Sequence, residues 1–156
     1  MKYISKQFVR WDDLDAFGNV NNAKYLTYVQ EARFLWATEE YSAAMRESSL
    51  IEMVVARAEV DFISPIYDGG RFVDVIVTIE SIGNSSFKML FEISDKGTVF
   101  AKVATVQVAV ALDTKKSRPL TAKEREFLER YIEAKSWKYF REKLSNAKYC
   151  AAKESC

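Results

Sequence analysis

A change in hydrophobic period divides this chain into one long helical segment and a series of strands. Between residues 23 and 39, apolar side chains recur every three or four positions, which predicts a long helix with a broad buried face. On either side of that segment, apolar and polar residues alternate with the period of two that is typical of strands. The predicted strands cover residues 3–10, 54–63, 71–82, 86–94 and 98–112. Because the apolar faces of helix and sheet must both be covered, the economical fold is a single α+β domain with an antiparallel sheet wrapped around the early helix.

Turn-forming residues mark the ends of the predicted strands. Pro65 ends the pairing of the second strand, and Gly83-Asn84 and Asp95-Lys96-Gly97 separate the last three. Residues 99–111 are apolar on both faces of the last strand. A strand that is apolar on both faces is buried on both sides, so we expect this strand at the centre of the sheet.

Two further helices are expected outside the long one. A shorter helical piece is predicted over residues 40–48, directly after the long helix. The closing segment, residues 121–146, has the pattern of an amphipathic helix. Thr121 is its expected N-cap, and Glu124 three residues later completes a capping box.

Length and charge limit the organisation of the protein and its partners. The 156 residues fit one domain, 1–156, and neither a repeat nor a linker interrupts them. Nearly half of the residues are hydrophobic, at 49%, which is typical of a chain with a packed core. The net charge of +1 provides no broad field to attract nucleic acid or an acidic membrane.

Neither end of the sequence predicts export or membrane insertion. The first seven residues contain no apolar segment of the secretory type, and no run of about 18 apolar residues predicts a membrane span. Cys150 and Cys156 lie in the polar last stretch and are interpreted as ordinary thiols. We therefore expect a cytoplasmic protein.

The chain contains no histidine, and this absence excludes several kinds of catalytic site. Serine and cysteine triads that use an imidazole base are excluded, as is the HExxH zinc site. Asp13-x-Asp15 resembles the start of a calcium loop, but Phe17 and Lys24 occupy positions that need oxygen ligands. We therefore expect no metal and no cofactor, and chemistry that depends on carboxylates, backbone amides, hydroxyls or lysines.

An acidic loop precedes the long helix. Asp12, Asp13 and Asp15 lie just before it, where negative charge is favoured by the helix dipole whether or not the residues are catalytic. Asn21 or Asn22 is a good N-cap for the helix. From the residues alone, the loop has two open interpretations, a set of helix-stabilising charges or a catalytic site.

The segment from Arg10 to Tyr25 resembles a known signature. It reads Arg-Trp-Asp-Asp-Leu-Asp-Ala-Phe-Gly-Asn-Val-Asn-Asn-Ala-Lys-Tyr. This is similar to the Asp-x-Asp, Gly, His-Val-Asn-Asn and Tyr pattern of the 4-hydroxybenzoyl-CoA thioesterase-like branch of the hotdog superfamily. Ser64-Pro65 and Gly69-Gly70 extend the resemblance, which spans residues 3–113. The resemblance implies a hotdog fold and an acyl-CoA thioesterase.

The resemblance also implies roles for individual residues. Asp15 would be the nucleophile or the general base that activates water, and the backbone amide of Asn22 would bind the thioester oxygen. Gly18 would let the backbone pass close to the substrate, and Tyr25, which opens the helix, would line the acyl pocket. Asn19 stands where the family has histidine, so it could bind substrate by hydrogen bonding but could not exchange a proton.

Three functional interpretations follow from this resemblance. The first is hydrolysis of acyl-CoA to a free acid and coenzyme A. The second, a close variant, is an acyl-carrier-protein thioesterase. The third is a hotdog dimer that binds acyl groups without turnover, because the family histidine is replaced by Asn19. A single small sheet leaves an apolar edge exposed, so we expect a homodimer or a dimer of dimers with each acyl pocket bounded by two subunits.

Overall fold

The computed structural model describes residues 1–45 and 52–133 of the chain. The chain forms five strands, which are β1 (Tyr3–Val9), β2 (Met53–Phe62), β3 (Arg71–Ile82), β4 (Ser86–Asp95) and β5 (Thr98–Ala109). The described helices are α1 (Asn22–Leu35), α2 (Ala43–Met45) and α3 (Ala122–Glu129), and a π-helical stretch (Trp36–Ser42) joins the first two. Helix α1 lies between β1 and β2 along the chain, as its hydrophobic period predicted.

The strands form one antiparallel sheet in the order β1-β3-β4-β5-β2. This arrangement, with the long helix and α3, is the predicted α+β hotdog fold. One detail of the prediction is wrong, because β4 and not β5 is the middle strand. Strand β5 is an interior strand that pairs with β4 on one side and with the edge strand β2 on the other. Two strand neighbours and a covering helix are enough to make both faces of β5 largely apolar.

Helix α1 packs on the inner face of the sheet, against β1, β3 and β5. Its buried face consists of Tyr25, Tyr28, Val29 and Ala32. The strands oppose it with alternating buried positions, most regularly in β3, where every second residue from Val73 to Ile79 is fully covered. Burial of these side chains provides the main favourable contribution to folding, roughly 1.5–3 kcal/mol for each large apolar side chain.

The segment that was predicted as a second, shorter helix over residues 40–48 continues the long helix instead. Residues 22–45 form one continuous helical segment that widens into π-helical geometry over Trp36–Ser42 and narrows again in α2. The Ser42 hydroxyl donates to the carbonyl of Ala37, five residues earlier, at 3.1 Å. No glycine or proline interrupts this segment, so nothing in it ends the helix at residue 39. Residues 46–48 lie outside the described residues.

The closing helix begins as predicted but ends earlier. Thr121 accepts the Glu124 N–H, and the Glu124 carboxylate accepts the Thr121 N–H, so the capping box is confirmed. Helix α3 ends at Glu129, and the next residues turn to pair with Ile79 of β3. The Ile79 N–H donates to Tyr131 O at 2.9 Å, and the Glu133 N–H donates to Ile79 O at 3.2 Å.

The early end of α3 has a physical reason in the sheet. Strand β1 pairs with β3 only as far as Val77, so the β3 backbone beyond that point has an unpaired edge. The turn after α3 satisfies the free N–H and C=O groups of Ile79, and it buries Tyr131 against Trp36 and Phe127. Residues 134–146 of the predicted helix, and Cys150 and Cys156, lie outside the described residues.

Within residues 1–45 and 52–133, no helix is long and apolar enough to cross a membrane.

Candidate active site

The loop between β1 and α1 is held by the carboxylate of Asp13. This side chain is fully buried beneath a short 3₁₀ turn, Trp11–Asp13. Its oxygens accept from the Arg10 N–H at 2.9 Å, from the Arg10 guanidinium at 3.0 Å and from the Tyr28 hydroxyl at 2.8 Å. The ammonium of Lys24 lies 3.4 Å away. Asp13 therefore joins the loop to the first turns of α1.

These contacts keep Asp13 charged in spite of its burial. Burial by itself raises the pKa of a carboxyl group, because the charged form loses its hydration. The hydrogen bonds from Arg10 and Tyr28 outweigh that effect and lower the pKa of Asp13 to about 2. Burial and the hydrogen bond that Tyr28 donates to Asp13 raise the pKa of the Tyr28 hydroxyl, so it remains a donor. The function of Asp13 that this geometry supports is to hold the loop.

Asp15 lies in a second turn of the same loop and is partly buried. Its Oδ1 accepts from the N–H of Phe17 at 2.8 Å and from the N–H of Asn19 at 3.2 Å. The backbone closes the turn through Gly18 N–H to Asp15 O at 3.0 Å and Asp15 N–H to Asn19 O at 2.7 Å. In the part of the chain that the structure describes, no hydrogen bond occupies Oδ2 of Asp15. One carboxylate oxygen is therefore anchored, and the other is available.

Gly18 has a conformational reason to be glycine. Its φ of +74° lies in the left-handed region, where a side chain would be strained. An added Cβ at this position would meet no atom within 4 Å, so steric room does not impose the glycine. Gly18 is not among the residues that line the cavity described below.

The start of α1 presents one backbone N–H without a partner. The Asn21 side chain caps the helix. The neighbouring backbone N–H groups all have acceptors. The N–H of Val20 donates to Ile66 O and that of Asn21 donates to Asp13 O. The N–H groups of Ala23 and Lys24 donate to Oδ1 and to the backbone O of Asn21, respectively. Among the described residues, none accepts a hydrogen bond from the Asn22 N–H. A free N–H at the positive end of a helix dipole is suited to binding an oxyanion.

A cavity of about 270 Å³ collects these groups. Its lining consists of Asp15, Asn19, Val20, Asn22, Tyr25, Phe62, Ile63, Ser64 and Pro65. Four of the five predicted site residues therefore lie around one space, and Gly18 is the exception. Asp15 and the N-terminus of α1 at Asn22 line the same cavity, so a carboxylate and a helix N-terminus that favours negative charge are available to one bound molecule.

One wall of the cavity was not predicted as part of the site. The residues Phe62 to Pro65, at the end of β2, lie beside the start of α1, and Phe62 packs edge-on against Tyr25 with ring centroids 5.1 Å apart. Tyr25 is itself buried, which raises the pKa of its hydroxyl. Ser64-Pro65 had a sequence signal in the motif resemblance and in the end of the strand. No local pattern indicated that Phe62 would lie beside Tyr25.

Asn19 contributes to the site through its backbone and its side chain. Its N–H binds Asp15, and its backbone bridges to Tyr67. Its side-chain Oδ1 is buried, and among the described residues it has no hydrogen-bond partner. A buried amide oxygen without a protein donor keeps an unused capacity to accept a hydrogen bond.

The described residues, 1–45 and 52–133, contain no group of three or more cysteine, aspartate or glutamate side chains that could hold a metal ion.

Comparison with known proteins identifies the family. A family model described as the thioesterase-like superfamily matches residues 9–140, which is more than half of the chain. The chain is 25% identical over 126 residues to a 1,4-dihydroxy-2-naphthoyl-CoA hydrolase from Rippkaea orientalis, covering 72% of this chain and 85% of that protein.

Solved structures agree with the family assignment. A protein described as a predicted thioesterase from Bacillus stearothermophilus has a TM-score of 0.74 and 27% identity, covering 87% of this chain and all of the other. A thioesterase from Thermus thermophilus, solved with coenzyme A and zinc, has a TM-score of 0.69 and 32% identity, covering 82% of this chain and 92% of the other. The relatives are thus named thioesterases or CoA hydrolases, as expected for a thioester hydrolase. The chain belongs to the thioesterase-like superfamily and has its hotdog fold.

Proposed function

We propose that this protein hydrolyses an acyl-CoA thioester to a free acid and coenzyme A. The observation that carries the proposal is the position of Asp15 and the free Asn22 N–H around one cavity. A CoA-linked substrate is supported by the names of the relatives, one of which was solved with coenzyme A.

Asp15 is the proposed nucleophile or general base. The amides of Phe17 and Asn19 hold Oδ1, and they leave Oδ2 to act on water or on the carbonyl carbon. As a base, Asp15 would take one proton from water while the oxygen of that water attacks the thioester carbon. As a nucleophile, it would form an acyl-enzyme anhydride that water then hydrolyses.

The Asn22 N–H is the proposed donor to the developing oxyanion. The carbonyl oxygen gains negative charge as the tetrahedral intermediate forms, and the helix N-terminus stabilises that charge. When the intermediate collapses, the C–S bond breaks and the sulfur leaves as a thiolate. A thiolate is a good leaving group, so the step does not require an acid such as histidine, which this chain lacks.

The aromatic wall and Asn19 are proposed to hold the substrate. Tyr25 and Phe62 form an apolar surface beside the reacting carbon, which suits the acyl group. The unpartnered Oδ1 of Asn19 would accept a hydrogen bond from the substrate or from the attacking water. Gly18 is proposed to act through the turn that orients Asp15, because its positive φ allows that turn.

Release of free thiol tests the proposal. We expect hydrolysis within a panel of acetyl-, decanoyl- and benzoyl-CoA. Asp15→Asn should lower kcat/KM by at least about a hundredfold, since it removes the group that acts on water. Asp12→Asn is the matched control, because Asp12 lies in the same loop with an exposed side chain, and it should retain activity. Native-like activity in a folded Asp15→Asn variant would refute the role of Asp15.

Asn19 supports a second candidate, a hotdog dimer that binds acyl groups without turnover. The family histidine is absent at this position, so any family mechanism that uses its proton is unavailable. The same panel separates the two functions, because a binding protein would release no thiol from any of the three esters. An acyl-carrier-protein thioesterase would instead act on acyl groups attached to the carrier protein.

A homodimer, or a dimer of dimers, is part of the proposal. Strand β2 is an edge of the sheet, and its Val54, Val55 and Phe62 are about half exposed. Phe62 also lines the cavity, so a second subunit paired along β2 would cover one side of that cavity. The acyl pocket would then be bounded by two subunits.

A further inference from the structure

A second cavity, of about 580 Å³, lies at the end of the sheet where β1, β3 and the β4–β5 turn meet. It is lined by Lys6, Arg71, Phe72, Asp95, Lys96, Thr98 and Phe100. The proposed hydrolysis uses none of these residues, and their chemistry differs from that of the first cavity. Cations and aromatic rings predominate here.

The charge of this cavity favours an anion. Three of its side chains are cationic and one is a carboxylate. Arg71 pairs with Asp95, and Lys6 pairs with Asp74 at 3.1 Å. Lys96 is exposed and lies in the turn, and the described residues place no carboxylate within ion-pair distance of its ammonium. One cation therefore remains to bind a negatively charged group.

The aromatic rings favour a flat group beside that anion. Phe72 is 55% exposed and packs against Phe8, which is 46% exposed, with ring centroids 5.0 Å apart. The Arg71 guanidinium lies over the Phe100 ring, 5.8 Å from its centroid. Exposed aromatic faces stack on nucleobases, and adjacent lysines bind phosphate. Together they fit a phosphorylated nucleoside.

The two cavities are neighbours in the fold. The carbonyl of Phe100 accepts from the N–H of Ile63 at 2.8 Å and from the N–H of Ser64 at 3.1 Å. Ile63 and Ser64 line the first cavity, whereas the Phe100 side chain lines the second. The backbone pairing of residues 63 and 64 with Phe100 thus lies between the candidate active site and the cationic cavity.

We infer that the second cavity binds the phosphorylated adenosine end of coenzyme A. In this arrangement Lys96 contacts a phosphate group and the adenine stacks on Phe72, while the thioester at the other end of the molecule lies beside Asp15. The inference rests on the proposed function, because it takes the substrate to be an acyl-CoA. It adds the residues by which the chain distinguishes coenzyme A from a carrier without a nucleotide.

Comparison of two thioesters tests the inference. The best ester of the panel would be assayed as acyl-CoA and as the same acyl group on pantetheine, which has no nucleotide. In Lys96→Asn, we expect the ratio of kcat/KM for acyl-CoA to kcat/KM for acyl-pantetheine to fall about tenfold, through KM. Asparagine suits position 96, where φ is +47°, because it tolerates the left-handed region.

Lys115→Asn is the matched control. Lys115 is also an exposed lysine with a positive φ, at +57°, and it lies in a turn outside both cavities. Its substitution should leave the ratio of the two esters unchanged. The preference of the native chain for acyl-CoA should also weaken as salt is added, because screening weakens the contact between Lys96 and phosphate.

Binding of adenosine 3′,5′-bisphosphate, measured by calorimetry, separates failure of this inference from failure of the proposed function. We expect binding to the native chain that weakens about tenfold in Lys96→Asn and not in Lys115→Asn, whether or not any ester is hydrolysed. An unchanged ester ratio together with unchanged binding would overturn the inference and leave the hydrolysis intact. The inference would also be overturned if Lys96→Asn slowed hydrolysis of acyl groups on acyl carrier protein and left hydrolysis of acyl-CoA unchanged. The second cavity would then bind a protein carrier.

Discussion

At the scale of single residues, Asn19 is the departure that bears most on chemistry. The resembling family has histidine at this position, and the chain retains the flanking Gly18 and Val20. The backbone of Asn19 still holds the carboxylate of Asp15, so the geometry of the turn does not depend on an imidazole. What the substitution removes is a group that exchanges protons near neutral pH.

Restoring histidine at position 19 is therefore expected to have a small effect. If Asp15 works with backbone amides alone, Asn19→His should change the rate of thiol release by roughly tenfold or less, about 1.4 kcal/mol. Asn19→Ala removes the unpartnered Oδ1 and should reduce the rate less than Asp15→Asn does. The measurement is kcat/KM for the three variants on one ester. Conversion of an inert native chain into an active one by Asn19→His would instead identify an acyl-binding protein.

At the scale of elements, the connection between the acidic loop and α1 depends on one buried carboxylate. Asp13 accepts hydrogen bonds from Arg10 at the end of β1 and from Tyr28 on the second turn of α1. Its pKa of about 2 in the folded chain lies below the ordinary value of 3.8. The unfolded chain therefore binds the proton more tightly, so acid favours unfolding through this group.

The pH dependence of stability tests this role of Asp13. Its charged form should contribute about 2 kcal/mol above pH 4, and this contribution should disappear as the pH falls through about 2. Asp13→Asn should therefore lower the free energy of unfolding at pH 7, and the difference from the native chain should shrink in acid. Urea unfolding at pH 7 and at pH 2.5 measures it, with Asp12→Asn as the control. A constant difference at both pH values would contradict the role.

At the scale of the whole molecule, the two edges of the sheet differ. No described strand pairs with the outer side of either edge strand, β1 or β2, but β2 borders the cavity and β1 does not. Strand β2 carries half-exposed valines and ends in the wall of the cavity. An uncovered apolar edge of this kind invites pairing with another strand.

We therefore expect light scattering to show a dimer or tetramer, which should dissociate when a substitution introduces a charge on the edge strand β2. Val55→Lys should favour the monomer and lower the rate of thiol release, because the cavity would lose the wall supplied by the second subunit. Ile4→Lys, on the opposite edge strand and also exposed, is the matched control and should leave both properties unchanged. A native chain that is a fully active monomer would contradict the shared pocket.

Local patterns were sufficient to predict most elements and several residues that line the first cavity. The apolar spacing of α1, the alternation in β3 and β4, the apolar run of β5, the glycine turns and the Thr121 cap each depend on residues close together in the chain. The acidic motif likewise placed Asp15, Asn19, Asn22 and Tyr25 within one short segment, and a loop leading into a helix brings such residues together without distant contacts.

Tertiary structure decided the features that depend on residues far apart in the chain. Pairing of the β3 edge ended α3 at Glu129, and Phe127 of α3 packs against Trp36 and Tyr41 in the continuation of the long helix. The order of the strands placed β5 beside the edge and brought Phe62 to Tyr25. Local sequence specifies backbone preference and a buried face, but the partner of that face is set by strand register and by competition for burial across the whole chain.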